Sequence, residues 1–171
     1  MSSADASDNI SSKRYVGNEM LKQDIVGVWQ LVSCEGKSAD GQIFLPYGSN
    51  PTGKLIYTQD GHMSVILMNS TRPRFISEDI SQASSDEISS AFRSFDAYSG
   101  TWELDSNSGK IEHAIEAGRI PNWIGASHPR FISILDGLLT LSTEEFSMGE
   151  RNWRVYVSWR RPHNNRMVAD R

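Results

Sequence analysis

The chain has 171 residues, 38% hydrophobic and 22% charged, with a net charge of −4. This composition suits one globular domain that buries its own core. Without a long basic run it gives no sign of a nucleic-acid partner. Cys34 is the single cysteine, which excludes a disulfide framework and a cysteine-based zinc site.

Residues 1–16 read as a polar, disordered tail without the apolar run of a secretory signal, and 163–171 as a second tail. No stretch approaches the roughly 20 apolar residues of a membrane span. The expectation is a cytoplasmic protein with its domain over 17–162 and no membrane partner. Asn18 can cap a short helix with Met20, Leu21 and Ile25 on its apolar side, ended by Gly27. A strand over 28–35 carries apolar residues on both sides. Residues 37–52 form a loop rich in Gly, Ser, Asn and Pro. Strands over 53–58 and 62–68 flank Asp60-Gly61, a strong hairpin signal. After the proline-broken loop 71–75 the apolar period lengthens. Over 77–95, Ile80, Ala83, Ile88, Ala91, Phe92 and Phe95 form a helical stripe. Such a helix either packs over a sheet or closes it as a lid.

Strand alternation returns over 98–105. The stretch 112–130, EHAIEAGRIPNWIGASHPR, is the most informative in the chain. Lys110, Glu112 and Glu116 fall on one side of a strand over 110–117, and Ile111, His113 and Ile115 on the other. Pro121-Asn122 turns the chain. In the next strand, 125–135, one register groups His128, Arg130, Ile132 and Ile134. On that register, polar groups from two neighbouring strands converge in an apolar interior. Asp136-Gly137 makes another hairpin, and strands over 138–143 and 152–160 complete the series. Eight strands joined mostly by short turns predict an all-β, eight-stranded antiparallel up-and-down barrel with one lid-like helix and a short N-terminal helix. A two-sheet sandwich is the alternative that composition leaves open.

Several blocks carry a resemblance. Gly27-Val28-Trp29 after a short helix resembles the Gly-x-Trp opening of lipocalins, and Trp159-Arg160-Arg161 the basic strand end that covers that tryptophan. Further blocks are Pro46-Tyr47-Gly48, Gly53-x-Leu55-x-Tyr57 with Asp60-Gly61-x-Met63-Ser64, Tyr98-x-Gly100-Thr101-Trp102, and Pro121-Asn122-Trp123-x-Gly125. The ordered series, spanning about 21–162, resembles a lipocalin-like domain family of bacteria and fungi. The resemblance implies a small barrel that binds hydrophobic molecules. Some related fungal barrels act as cofactor-free cyclases or isomerases in natural-product pathways.

The candidate groups follow. His113 is either a core histidine satisfied by one partner or a general acid/base. Arg130 is either an ion-pair member, with Glu103 or Glu112, or the anchor of a ligand oxyanion. Tyr47, Tyr57, Trp102 and Trp123 are packing or cavity-lining aromatics, and His62 and His128 are candidate ligand contacts. The three histidines lack helical spacing and a carboxylate cluster, so no metal is expected. Without a phosphate loop, a dinucleotide fingerprint or a nucleophile elbow, no cofactor is expected. The resulting expectation is a cofactor-free isomerase or cyclase of a small hydrophobic metabolite, polyketide- or terpenoid-like, in secondary-metabolite biosynthesis. His113 and Arg130 would be its catalytic groups. The alternatives are a non-catalytic carrier and a filled barrel that serves as an interaction module. The sequence leaves the oligomeric state open, a homodimer included.

Overall fold

A computed structural model describes residues 15–16, 20 and 22–162 of the chain. The cap at Asn18, Leu21, residues 1–14 of the first expected tail and the tail 163–171 lie outside the described residues. Its elements are β1 (Tyr15–Val16), α1 (Lys22–Ile25), β2 (Gly27–Ser38), β3 (Ile43–Phe44), β4 (Pro51–Tyr57), β5 (His62–Asn69), α2 (Ser85–Arg93), β6 (Phe95–Asp105), β7 (Lys110–Gly118), β8 (Ser127–Leu135), β9 (Leu138–Ser142), β10 (Phe146–Met148) and β11 (Arg151–Arg160). Single 3-10 turns lie at Ile80–Gln82 and Pro121–Trp123. Among the described residues no helix is long and apolar enough to cross a membrane.

Eight strands run antiparallel in the order β2-β4-β5-β6-β7-β8-β9-β11, and β11 pairs back onto β2. That last pairing closes a barrel, so the sandwich alternative falls. The short strands β1, β3 and β10 attach to β8, β2 and β11.

One end of the barrel is packed. Trp29, Leu31, Leu55, Met63, Val65, Ile111, Ile132, Ile134, Leu139, Leu141 and Trp159 are all buried there in one apolar cluster, with Ile25 of α1 beneath them. The period-two alternation of these strands explains this: every second residue points inward. The Trp29 indole N–H donates to the Ile25 carbonyl at 2.7 Å, and the Arg161 guanidinium lies 3.8 Å from the Trp29 ring centroid. The basic strand end therefore does cover that tryptophan.

Two expectations change. The loop over 37–52 is partly strand: β2 continues to Ser38, β3 pairs with it, and β4 begins at Pro51. The single helix over 77–95 is interrupted. Asp79 accepts from the Ser81 N–H and starts one short turn; Ser84 and Glu87 form a capping box that starts α2. Two local caps outcompete one continuous stripe. Phe95 belongs to β6, paired with Met68. The stripe is not packed away either: Ile80 is 67% and Ile88 52% exposed. The end of α2 is tied to the barrel by arginines, Arg72 donating to the Ala91 carbonyl at 3.1 Å and Arg119 to the Phe92 carbonyl at 2.9 Å.

Gly100 permits a close crossing of β6 and β7 beside the inward row of the barrel. A Cβ there would meet the Ala114 carbonyl oxygen at 1.9 Å. Gly100→Ala is expected to lower the unfolding free energy by about 1–3 kcal/mol, read from urea unfolding. A variant within a few tenths of the parent would mean that the strands separate there at no cost.

Candidate functional site

The inward faces of β6, β7 and β8 bring the polar groups together. Trp102 pairs with His113, His113 with His128, and Ile111 with Arg130. Paired residues share a face, so His113, His128 and Arg130 all point inward with Ile111, Ile132 and Ile134. The β7–β8 connection fixes this register. Pro121 starts its 3-10 turn, and Gly125, at φ 79, donates its N–H to the Ile115 carbonyl at 2.8 Å.

His113 is 0% exposed. Its Nε2 is hydrogen-bonded to the Tyr57 hydroxyl at 2.6 Å and its Nδ1 to the Tyr98 hydroxyl at 3.3 Å. Burial, helped by the charges of Arg130 and His128, pushes the imidazole down to about 3. It is therefore neutral near pH 7, with one nitrogen donating and the other accepting. Burial raises both tyrosines, so both phenols keep their protons; the positive charge of Arg130 opposes the rise at Tyr98. Arg130 donates to the Pro129 carbonyl at 2.8 Å. Among the described residues it has no carboxylate ion pair. Of the two expected partners, Glu112 instead accepts from the Ser127 hydroxyl.

A cleft of about 580 Å³ runs over the open end of β8, lined by Trp123, Ser127, His128, Pro129, Arg130 and the segment from Thr143 to Phe146. Trp123 stands edge-on to His128 at 5.2 Å and to Tyr98 at 5.9 Å. A continuous path thus runs from the cleft through Trp123 and Tyr98 to His113 and Tyr57. Partial burial, then the charge of Arg130, holds the His128 imidazole below its ordinary range. His113 is behind the cleft rather than in its wall.

The other candidates scatter. Tyr57 and Trp102 are buried in the core, with rings 4.9 Å apart, and the Trp102 indole N–H donates to the Thr58 carbonyl at 3.1 Å. Tyr47 lies at the open end, where its hydroxyl donates to Asp96 at 3.3 Å. Arg119 holds the same carboxylate at 3.3 Å. His62 is not brought to the interior: it is exposed on the outer side of β5, because its neighbour Met63 takes the inward position. Three contributors escaped sequence reasoning. Tyr98 shares the inward parity of Trp102 in the alternation over 98–105 and was there to be found. Asp96 and Arg119 lie beyond the expected strand ends, and no local pattern links them.

Comparison with known proteins adds two findings. Residues 26–162 match the lipocalin-like domain family. A 4'-hydroxy-3'-methoxypropiophenone carrier protein of Aspergillus oryzae is 26% identical to this chain over 106 residues, 58% of this chain and 96% of the relative.

Proposed function

This chain belongs to the lipocalin-like domain family, and from that premise we propose that it binds and carries a small hydrophobic aromatic ligand bearing a carbonyl or phenolic oxygen. The observation that carries this reading is Arg130. It is an inward arginine without a carboxylate ion pair among the described residues, set in the wall of a cleft beside Trp123 and His128. The aromatic groups offer edges and faces for stacking, and the guanidinium offers N–H donors to an oxygen. The cleft volume falls within the range of about 300–1,000 Å³ usual for small-molecule sites. The relative's named cargo, an aryl ketone, has this chemistry.

A second reading is a cofactor-free isomerase or cyclase of a polyketide- or terpenoid-like metabolite. It rests on the hydrogen-bonded series Tyr57–His113–Tyr98 that ends beside Arg130. Tyr98 would lend its proton to a substrate oxygen and take one back from the substrate carbon that loses its hydrogen, so no net proton is consumed. Arg130 would stabilise charge on that oxygen, and neutral His113 would orient the Tyr98 hydroxyl through its hydrogen bond. Carriage ranks first because both His113 nitrogens are occupied and the ring is far from the basicity of a free general base.

Calorimetric titration with 4'-hydroxy-3'-methoxypropiophenone is expected to show saturable one-to-one binding. Arg130→Met should weaken it by about 10- to 100-fold, the worth of a hydrogen bond from a charged donor. Absence of saturable binding to the parent protein would overturn the reading. Mass spectrometry of the same mixtures separates the two functions: unchanged ligand supports a carrier, an isomeric product the enzyme.

A further inference from the structure

Resting on the binding reading above, we infer that the cleft takes its ligand as an oxyanion, the phenolate or enolate of a small aromatic compound, with the charge set against Arg130. Among the described residues the geometry supplies a cation without a carboxylate counter-ion. Arg130 spends one N–H on the Pro129 carbonyl and approaches Tyr98, which leaves part of its five-donor fork for an incoming oxygen.

The groups facing it from each packed element are the Tyr57 phenol of β4, the Tyr98 phenol of β6, His113 of β7 and His128 of β8. None is an anion near pH 7: the phenols are raised by burial, and both imidazoles are held neutral. The nearby carboxylates have other engagements. Asp96, close enough to act on Tyr98, is held by Arg119. Glu144, in the cleft wall, accepts from Lys110 at 2.9 Å, and Glu112 from Ser127. Glu145 lies exposed in the cleft wall, where water screens it. Arg130 is left as the half-buried charge facing the aromatic wall, and in such a setting it acts more strongly on a bound group than in water. Burial outweighs Arg130 at the enclosed Tyr57 and Tyr98. The cleft, with Ser127, Glu144, Glu145 and Phe146 exposed in its wall, stays open to water, so a phenol bound there ionises more readily than a free one; its proton passes to solvent, and no covalent bond of the protein forms or breaks.

The test uses 4-nitrophenol, whose ionised form absorbs in the visible. Spectra are recorded with the full chain in excess, across the pH range of the free compound's titration, with calorimetry to establish binding. The bound compound is expected to ionise about one pH unit lower than the free one, a tenfold change in its ionisation constant. Arg130→Met should abolish that displacement and Arg130→Lys should keep most of it. Saturable binding without displacement overturns the inference and leaves the binding reading standing. So does failure of 4-nitrophenol to bind when the aryl ketone binds. Binding of neither compound removes the reading on which the inference rests.

Discussion

Trp29→Ala is expected to lower the unfolding free energy by about 3–5 kcal/mol, the usual cost of deleting a large buried aromatic. The side chain is 2% exposed, and three attachments make the site slow to collapse. Its ring supports the Arg161 guanidinium at 3.8 Å, it packs in the apolar cluster of the closed end, and its N–H satisfies the Ile25 carbonyl at 2.7 Å. The helix α1 has only four residues, Lys22–Ile25, too few to hold itself together, so it depends on this contact. Urea unfolding at pH 7 checks the figure. Trp29→Phe keeps most of the volume but leaves the carbonyl without its donor, so a smaller loss of about 1–2 kcal/mol is expected. If the alanine variant lost under about 1 kcal/mol, the closed end would not depend on this residue.

Acidification is expected to draw a somewhat smaller amount of stability from His113. The imidazole titrates at about 3 in the fold against 6.5 in the unfolded chain. Above pH 6.5 it is neutral in both states and contributes no pH dependence. Below that value the unfolded chain binds a proton that the folded chain refuses, so unfolding becomes progressively favoured. The loss continues until the folded form also protonates near pH 3. Between pH 7 and 4.5 this amounts to about 2–3 kcal/mol. Other groups titrate in the same window, so the measurement is a difference: urea unfolding of the parent and of His113→Gln, each at pH 7 and 4.5. The parent's advantage over the variant should shrink by about 2–3 kcal/mol on acidification. An unchanged advantage would mean that the ring is charged in the fold or reached by water.

Much of this architecture is legible in the sequence wherever one strand face is apolar and the other is not. The alternation over 110–117 alone turns His113 inward. The register of β8 is harder, because Ser127, Phe131 and Ser133 blur the pattern; pairing of His113 with His128 decides it. In β2 both sides look apolar for a physical reason. A register shift against β11, between Ser158 and Trp159, adds a residue to β2, so Trp29 and Leu31 point inward and then Cys34 and Gly36 do. A one-residue bulge reverses parity, and no periodicity analysis of a single strand can see the partner that causes it. The same limit hides the Asp96–Arg119 pair, whose members meet because β6 and β7 lie side by side at the open end. The helix over 77–95 misleads differently: composition gives it one stripe, while caps at Asp79 and Ser84 give it two beginnings.

The seam between β2 and β11 has a consequence for how the molecule is made. Gln30 pairs with Arg160, so the two sides of the seam leave the ribosome far apart in time. At about 5–20 residues per second, β2 waits on the order of ten seconds for its second neighbour. Throughout that wait one edge of β2 offers unpaired backbone groups to any extended chain nearby. Polysomes making this protein therefore carry a row of nascent chains with the same open edge, and holdase chaperones have their longest opportunity there. The finished barrel has no such edge along β2, so this exposure ends once β11 has been made and pairs with it.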